Sequence, residues 1–386
     1  MKIVVALDSF KDCMDARSAC NAVEGGLRSV LPDAEVVTLP LADGGEGTLD
    51  VLSGYIPMKK HKLIVKDPLG RDVKSFYCES REGRAYIEFA RGAGLEMLAQ
   101  GERNVMRTSS YGVGRMIRDA LDKGIRSIII TLGGSATNDM FLGGLQALGL
   151  KVYDRDGNLL EHPVSAGDLC KIGGFDVEEL NKRMDGVEMT YLYDAEIPFC
   201  EEGGAVRLYA LQKGCQKKEL PLLDDSMKRM EEIVERTTGF SPATAPGAGA
   251  AGGSGGGLYG FLNGVCLVRG LRGIEYVMEV TKLNERLEDA DMVITGEGHA
   301  DAQTSQGKVA AGVLELAKER GIPCLLIAGK ISEAPLLRKM GYEDIIDINA
   351  GEPADVNPLD PAIATPRITK AIAKAIAKAI ATHFFK

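Results

Sequence analysis

Glu297, His299, Asp301, Gln303, Thr304 and Lys308 are crowded into one stretch, Val293-Ile-Thr-Gly-Glu-Gly-His-Ala-Asp-Ala-Gln-Thr-Ser-Gln-Gly-Lys308. Carboxylates so placed can take a proton or hold a divalent cation, and a lysine can neutralise an anion. Two more stretches have the same make-up: Ile3-Val-Val-Ala-Leu-Asp-Ser-Phe-Lys11, with Asp8, Ser9 and Lys11, and Ile128-Ile-Ile-Thr-Leu-Gly-Gly-Ser-Ala-Thr-Asn-Asp139, with Ser135, Asn138 and Asp139. Lys11 can act as a point charge on a transferring phosphoryl group, or it can be a surface lysine on a first turn. Asp43 and Glu46 flank Gly44-Gly45. They can hold Mg²⁺ directly or through water, and they can equally form a capping box at a helix start. The backbone N–H groups after Gly133-Gly134 suit an anion, or simply begin a capped helix. Such chemistry fits an enzyme handling anionic, phosphorylated substrates.

Each of these stretches follows a short apolar run, as expected of polar loops held at the carboxyl ends of buried strands. The pattern predicts strands at Ile3–Leu7 and Glu35–Leu39, with helices at Ala16–Leu31 and from Gly47. Lys62–Val65, Val73–Tyr77 and Arg84–Phe89 are short runs separated by turn residues and read as antiparallel hairpins. A serine-capped helix over Ser109–Asp122, a buried strand at Ser127–Leu132 and a helix at Leu142–Leu148 follow. The α/β rhythm returns with a strand at Asp291–Thr295 that gives way to a glycine turn, a helix at Ala310–Arg320 and a strand at Cys324–Ala328. A helix at Pro335–Lys339 and a strand at Asp344–Ile348 complete it. The expected fold is therefore α/β: an open sheet built from both chain ends (1–60 with 285–386), a second α/β domain inserted over 61–284, and ligands in the cleft between them. Residues 241–260 are too glycine-rich for regular structure, so they form either a flexible linker or a loop pressed against a ligand or another backbone segment. In the tail, Ile368, Ile372, Ile376 and Ile380 line one helical face opposite Lys370, Lys374 and Lys378. Docking on the sheet is favoured over a membrane surface, because the repeat carries no aromatic anchor.

Composition narrows the partners. A net charge of −9 argues against nucleic acid, which asks for a basic face. The sequence has no apolar run of membrane-spanning length and no signal peptide, and its eight cysteines form no Cys-x-x-Cys pair. A cytoplasmic protein with reduced thiols is expected. Gly247-Ala-Gly-Ala-Ala-Gly252 matches a dinucleotide pattern, but the sequence suggests neither the strand before it nor the helix after it. Gly307-Lys308 is followed by Val309, so there is no P-loop, and the triplets of the protein kinases are missing.

Taken in order, Val5-Ala-Leu-Asp-Ser-Phe-Lys11, Leu41-Ala-Asp-Gly-Gly-Glu-Gly-Thr48, Arg107-Thr-Ser-Ser-Tyr-Gly112, Leu132-Gly-Gly-Ser-Ala-Thr-Asn-Asp139, Gln212-Lys-Gly214, Pro246-Gly-Ala-Gly-Ala-Ala-Gly-Gly253, Ile294-Thr-Gly-Glu-Gly298, Asp301-Ala-Gln-Thr304 and Gln306-Gly-Lys308 cover nearly the whole chain. Together they resemble the bacterial glycerate kinase family that is unrelated to P-loop kinases. The resemblance implies ATP- and Mg²⁺-dependent phosphorylation of D-glycerate, usually to 2-phosphoglycerate, in two α/β domains, one of them Rossmann- or flavodoxin-like. On that reading Asp301 is the general base and Lys11 stabilises the transferring phosphoryl group. Asp43 and Glu297 are expected metal contacts. Asp8, Ser9, Asp43, Asp139, Asp194 and His299 face the substrate, and Ser135, Asn138, Gly247, Gly249, Gly252, Gly253 and Lys308 hold the nucleotide.

The chain departs from the family pattern beside these positions. Asp12-Cys13 replaces Gly-Ser, Met140-Phe141 replaces Gly-Gly, Glu196-Ile197 replaces Thr-Asn, and His299-Ala300 replaces Arg-Leu. Each swap changes polarity or bulk, and losing the arginine removes a fork able to grip a carboxylate. The alternatives are a kinase for another small hydroxycarboxylate, or a paralogue that only binds a nucleotide or organic acid.

Overall fold

The computed structural model describes residues 1–200, 202–305, 308–350 and 357–381, without the side chains of Gln303, Ser305 and 379–381. The chain divides into two compact units, Met1–Asp43 with Asp50–Tyr55 and Ile274–Lys386, and Gly44–Leu49 with Ile56–Gly273.

The first unit holds a five-stranded parallel sheet ordered β13-β12-β11-β1-β2, from β1 (Lys2–Leu7), β2 (Glu35–Pro40), β11 (Met292–Ala300), β12 (Cys324–Ile331) and β13 (Asp344–Asp347). Ile3, Val4, Val5, Ala6 and Leu7 are all fully buried, as a central parallel strand covered on both faces requires. Because the strands are parallel, their carboxyl ends share one edge, and Leu7 stands opposite both Pro40 and Gly296.

β11 runs to Ala300 instead of turning at Thr295. Pairing with β12 continues through His299 and Ala300, so Glu297 and His299 sit on a strand and not in a glycine turn. A Cβ on Gly296 would lie 2.3 Å from the Ile327 carbonyl oxygen, so this glycine serves strand packing.

The terminal helix, Pro361–Ala381, packs on the helix Ala16–Val30. Ile368, Ile372 and Ile376 are fully buried in one core with Ile3, Val5, Val23 and Leu27, and this occupies the apolar face that a membrane surface would need. Gly26 admits the helix: a Cβ there would lie 2.6 Å from the Thr369 carbonyl oxygen. The side chain of Ile380 lies outside the described residues. Among the described residues no helix is long and apolar enough to cross a membrane.

The second unit holds a six-stranded mixed sheet ordered β10-β9-β6-β5-β4-β3. Its strands are β3 (Met58–Lys66), β4 (Asp72–Ser80), β5 (Arg84–Glu88), β6 (Ser127–Leu132), β9 (Glu188–Tyr193) and β10 (Leu267–Arg272). β3, β4 and β5 pair antiparallel, and the sheet is parallel from β5 through β10. A separate antiparallel pair joins β7 (Lys151–Asp154) to β8 (Ile172–Asp176).

The glycine-rich segment is not irregular. It forms a helical stretch, Ala250–Leu262, with a left-handed kink at Ala251, Gly252 and Gly253. A Cβ on Gly252 would stand 2.0 Å from the Thr137 carbonyl oxygen, and one on Gly257 would stand 1.8 Å from that of Met140. The glycines let this helix lie directly on the backbone of Thr137–Met140. A helix thus does follow the glycine pattern, but the short turn Pro242–Thr244, not a strand, precedes it.

Three expected caps differ. The helix after the Asp-Gly-Gly-Glu turn begins at Thr48, too late for Asp43 and Glu46 to form a capping box. The helix Tyr111–Asp122 takes no cap from Ser110, whose hydroxyl is given to Asp139, and it is Ser109 Oγ that accepts from Tyr111 N at 3.3 Å. The helix Leu142–Leu148 begins after Phe141, and the Asp139 carboxylate reaches forward to accept from Gly143 N at 3.2 Å.

Candidate active site

In the first unit, the shared carboxyl edge places Asp8 after β1, Asp43 after β2 and Glu297 on β11. Asp8 N donates to Gly296 O at 3.0 Å, tying the end of β1 to β11. The Asp8 carboxylate accepts from Ser9 N at 2.6 Å. Burial first, then the charge of Asp43, pushes the Asp8 carboxyl well above the usual range, with Glu297 adding to the repulsion. Glu297, 7% exposed, is also raised, mainly by burial, against the opposing pull of Lys308. Lys308 Nζ lies 3.5 Å from Glu297 Oε2. Burial works against the Lys308 charge, but Glu297, Asp43 and Asp301 outweigh it and hold the ammonium above its ordinary value. The edge is therefore an acidic cluster with one lysine in its field, where a cation would relieve the repulsion among the carboxylates.

Lys11 is exposed and its backbone lies against β11, since a Cβ on Gly298 would come 2.9 Å from Lys11 N. Asp301 begins a tight turn: its N–H donates to Thr304 Oγ1 at 2.9 Å, and Thr304 N returns to Asp301 O at 3.1 Å. The exposed His299 ring is hydrogen-bonded to Ser332 Oγ at 2.8 Å. Gln306 and Gly307, part of the last resembling motif, lie outside the described residues.

In the second unit, Ser135, Asn138 and Asp139 occupy the turn after β6 and Asp194 follows β9, its parallel neighbour. Asp139 is fully buried, and its Oδ2 accepts from Ser110 Oγ at 2.6 Å and Ser110 N at 2.8 Å. Burial raises its pKa, with these bonds pulling the other way. Asn138 is fully buried, and neither end of its amide has a hydrogen-bond partner among the described residues. The Asp194 carboxylate lies over Gly133, where a Cβ would stand 3.2 Å from Oδ2. Gly44–Thr48 also belongs to this unit, with Gly45 packed on Gly133.

Gly247 N donates to Glu196 Oε1 at 3.1 Å, and Gly249 N to Ile197 O at 3.0 Å. Gly252 and Gly253 pack on Thr137 and Met227. Protein neighbours thus account for the small size of all four. Two departures are also explained locally. Met140 and Phe141 hold left-handed backbone, φ 44° and 64°, a conformation that favours glycine, yet both side chains are fully buried. Asp12 stands at φ 60°, which aspartate tolerates better than most residues.

Two residues were not singled out in the sequence. Glu88, 2% exposed, pairs with Arg91 at 2.7 Å and accepts from Gly47 N at 2.7 Å, fixing the Gly44–Thr48 loop. Lys213, 3% exposed, donates to Ser135 Oγ and to Thr137 O, both at 2.8 Å. Its burial lowers its pKa to about 8, although Asp194 and Asp139 favour the charge. The Gln212-Lys-Gly214 motif was the available signal for Lys213.

Residues 3–381 match the model of the glycerate kinase family. The chain belongs to this family. It is 41% identical over 336 residues to the glycerate kinase of Haemophilus influenzae, covering 86% of this chain and 87% of that protein. It is 37% identical over 346 residues to the glycerate kinase of Halalkalibacterium halodurans, covering 89% and 88%. With the glycerate 2-kinase of Escherichia coli it shares 36% identity over 333 residues, 86% of each. A crystal structure of a glycerate kinase 2 from Salmonella typhimurium superposes with a TM-score of 0.79 at 34% identity over 100% of both chains. As a glycerate kinase family member the chain is a kinase with a small-molecule substrate, and the two α/β units agree with that neighbour's fold.

Proposed function

We propose that this chain transfers the γ-phosphoryl group of ATP to D-glycerate and forms 2-phosphoglycerate, in the cytoplasm. The observation that carries this reading is the parallel-sheet edge where Asp8, Asp43 and Glu297 share one field with Lys308. Phosphoryl transfer needs charge neutralisation and positioning more than covalent help from the protein, and such an edge supplies both. Asp301 takes the proton of the attacking hydroxyl. Lys11, on the backbone against Gly298, neutralises charge on the transferred group, and Lys308 holds a nucleotide phosphate. Asp8, Ser9 and His299 face the acceptor. In the second unit, Asp139 and Asp194 are taken as substrate contacts. Ser135 and Asn138 contact bound substrate, and the Gly247–Gly253 turn supports them from behind.

The residues fit Mg²⁺. Glu297 Oε1 is buried without a hydrogen-bond partner among the described residues, beside carboxylates whose ionisation is opposed. Mg²⁺ takes one or two carboxylates and completes its shell with phosphates and water, so it needs no larger set of protein ligands. Asp43 and Glu297 would hold it, and when bound it neutralises charge on the phosphate oxygens.

The test is an assay of the purified protein with ATP, Mg²⁺ and D-glycerate, reading the product by phosphorus NMR beside a panel of other hydroxycarboxylates. The reading expects a 2-phosphoglycerate signal; turnover of another acid alone would replace the acceptor. Asp301→Asn and Lys11→Ala should each lower kcat by about 10²-fold or more. Values within threefold of the parent would remove those two roles.

A further inference from the structure

Lys213 closes the short turn Leu211–Lys213, far along the chain from the two groups that it binds. We propose that Lys213 is a positioning residue whose ammonium clamps the turn after β6, so that Asn138 and Asp139 meet bound substrate in one fixed arrangement. This rests on the reading that the turn touches bound substrate.

The first observation is the clamp. One nitrogen joins the Ser135 hydroxyl to the Thr137 carbonyl, both at 2.8 Å, and so bridges the residues just before Asn138. The turn is held from its other side, where Met140 N donates to Gly252 O at 3.2 Å. Lys213 is itself anchored, because Gly214 is left-handed and a Cβ there would stand 2.0 Å from the Arg103 carbonyl oxygen.

A second observation is Asn138, whose fully buried amide has no hydrogen-bond partner among the described residues. No hydrogen bond at its own tip sets its direction, which leaves that to packing and to the flanking backbone that Lys213 holds. The third is the cost of the lysine. Apolar side chains such as Met227 and Phe199 pack against Gly253 without penalty, whereas a buried ammonium is disfavoured, and Asp139 and Asp194 offset this only in part. Methionine would fill much the same volume. The fold therefore gains little from the charge, and the turn that it holds gains most.

The experiment pairs steady-state kinetics with MgATP and D-glycerate against thermal unfolding of the full chain. Lys213→Met should lower kcat/KM about tenfold or more, while the unfolding midpoint stays within about 5 °C or rises. Lys213→Gln keeps a donor near the same place and should recover at least about threefold over Lys213→Met. Lys213→Met with parent-like kinetics, a loss of activity that follows a falling midpoint, or a glutamine no better than methionine would each overturn the proposal. Asn138→Ala separates the two levels. It should fold normally and lose activity. Parent-like activity of that variant would remove the turn from the site altogether. An impaired Asn138→Ala beside an active Lys213→Met would sink the clamp alone.

Discussion

A buried lysine leaves a mark on the pH dependence of stability. The folded pKa of Lys213 is about 8, against an ordinary 10.5, so between these values the unfolded chain binds a proton that the folded chain does not. Stability should therefore rise with pH across about 8 to 10.5, and this contribution should be flat below that window. A shift of this size corresponds to roughly 3 kcal/mol. Chemical denaturation from pH 7 to 10.5 should show the rise in the parent chain and a smaller one in Lys213→Met; equal slopes would mean that the ammonium is not desolvated as the structure has it. The carboxylates of the first unit have the opposite character. Asp8 and Glu297 are raised, so the folded chain holds their protons more tightly than the unfolded chain does, and their ionisation lowers stability as pH rises.

The helix Ala250–Leu262 rests on the turn that carries Asn138 and Asp139, and its glycines are the reason that it can. Gly257 is the sharpest case: a Cβ there would stand 1.8 Å from the Met140 carbonyl oxygen, with no flexible tip to yield. Gly257→Ala should cost about 1–3 kcal/mol even though alanine favours helix, because overpacking outweighs propensity. A Cβ on Gly101 would meet nothing within 4 Å, so Gly101→Ala is the neutral control. Urea denaturation of both variants decides it, and equal stabilities would refute the contact. Met140 and Phe141 show the same balance reversed. Left-handed backbone costs about 1–3 kcal/mol at each. Burying Phe141 against Phe89 and Gly144 returns an amount of the same order. The pair is therefore tolerated in a turn where glycines would be free of strain.

Across the whole chain, the two ends of the sequence build one core. Ile372 is fully buried against the helix Ala16–Val30, and Ile372→Ala should destabilise the first unit by about 2–5 kcal/mol. Denaturant unfolding followed by hydrogen exchange would place the loss in that unit, and an unchanged midpoint would detach the tail helix from the core. The parallel sheet from both ends, the early hairpins and the carboxylates at strand ends were legible in the residues, because buried strands announce themselves as short apolar runs and glycine-rich polar loops follow them. The family was legible too, since its motifs recur in order along nearly the whole chain. Local pattern could not show that β11 continues through Glu297 and His299, because that depends on a partner strand remote in sequence. Nor could it show that a segment with six glycines between 249 and 257 is helical, since propensity argues against helix and only the backbone beneath it argues for one. Lys213 is the clearest division between the two. Its type and neighbours marked it as part of a motif, while its burial and its hold on Ser135 and Thr137 exist only once the folded chain brings the two segments together, and desolvation is a property of that packing and not of the residue.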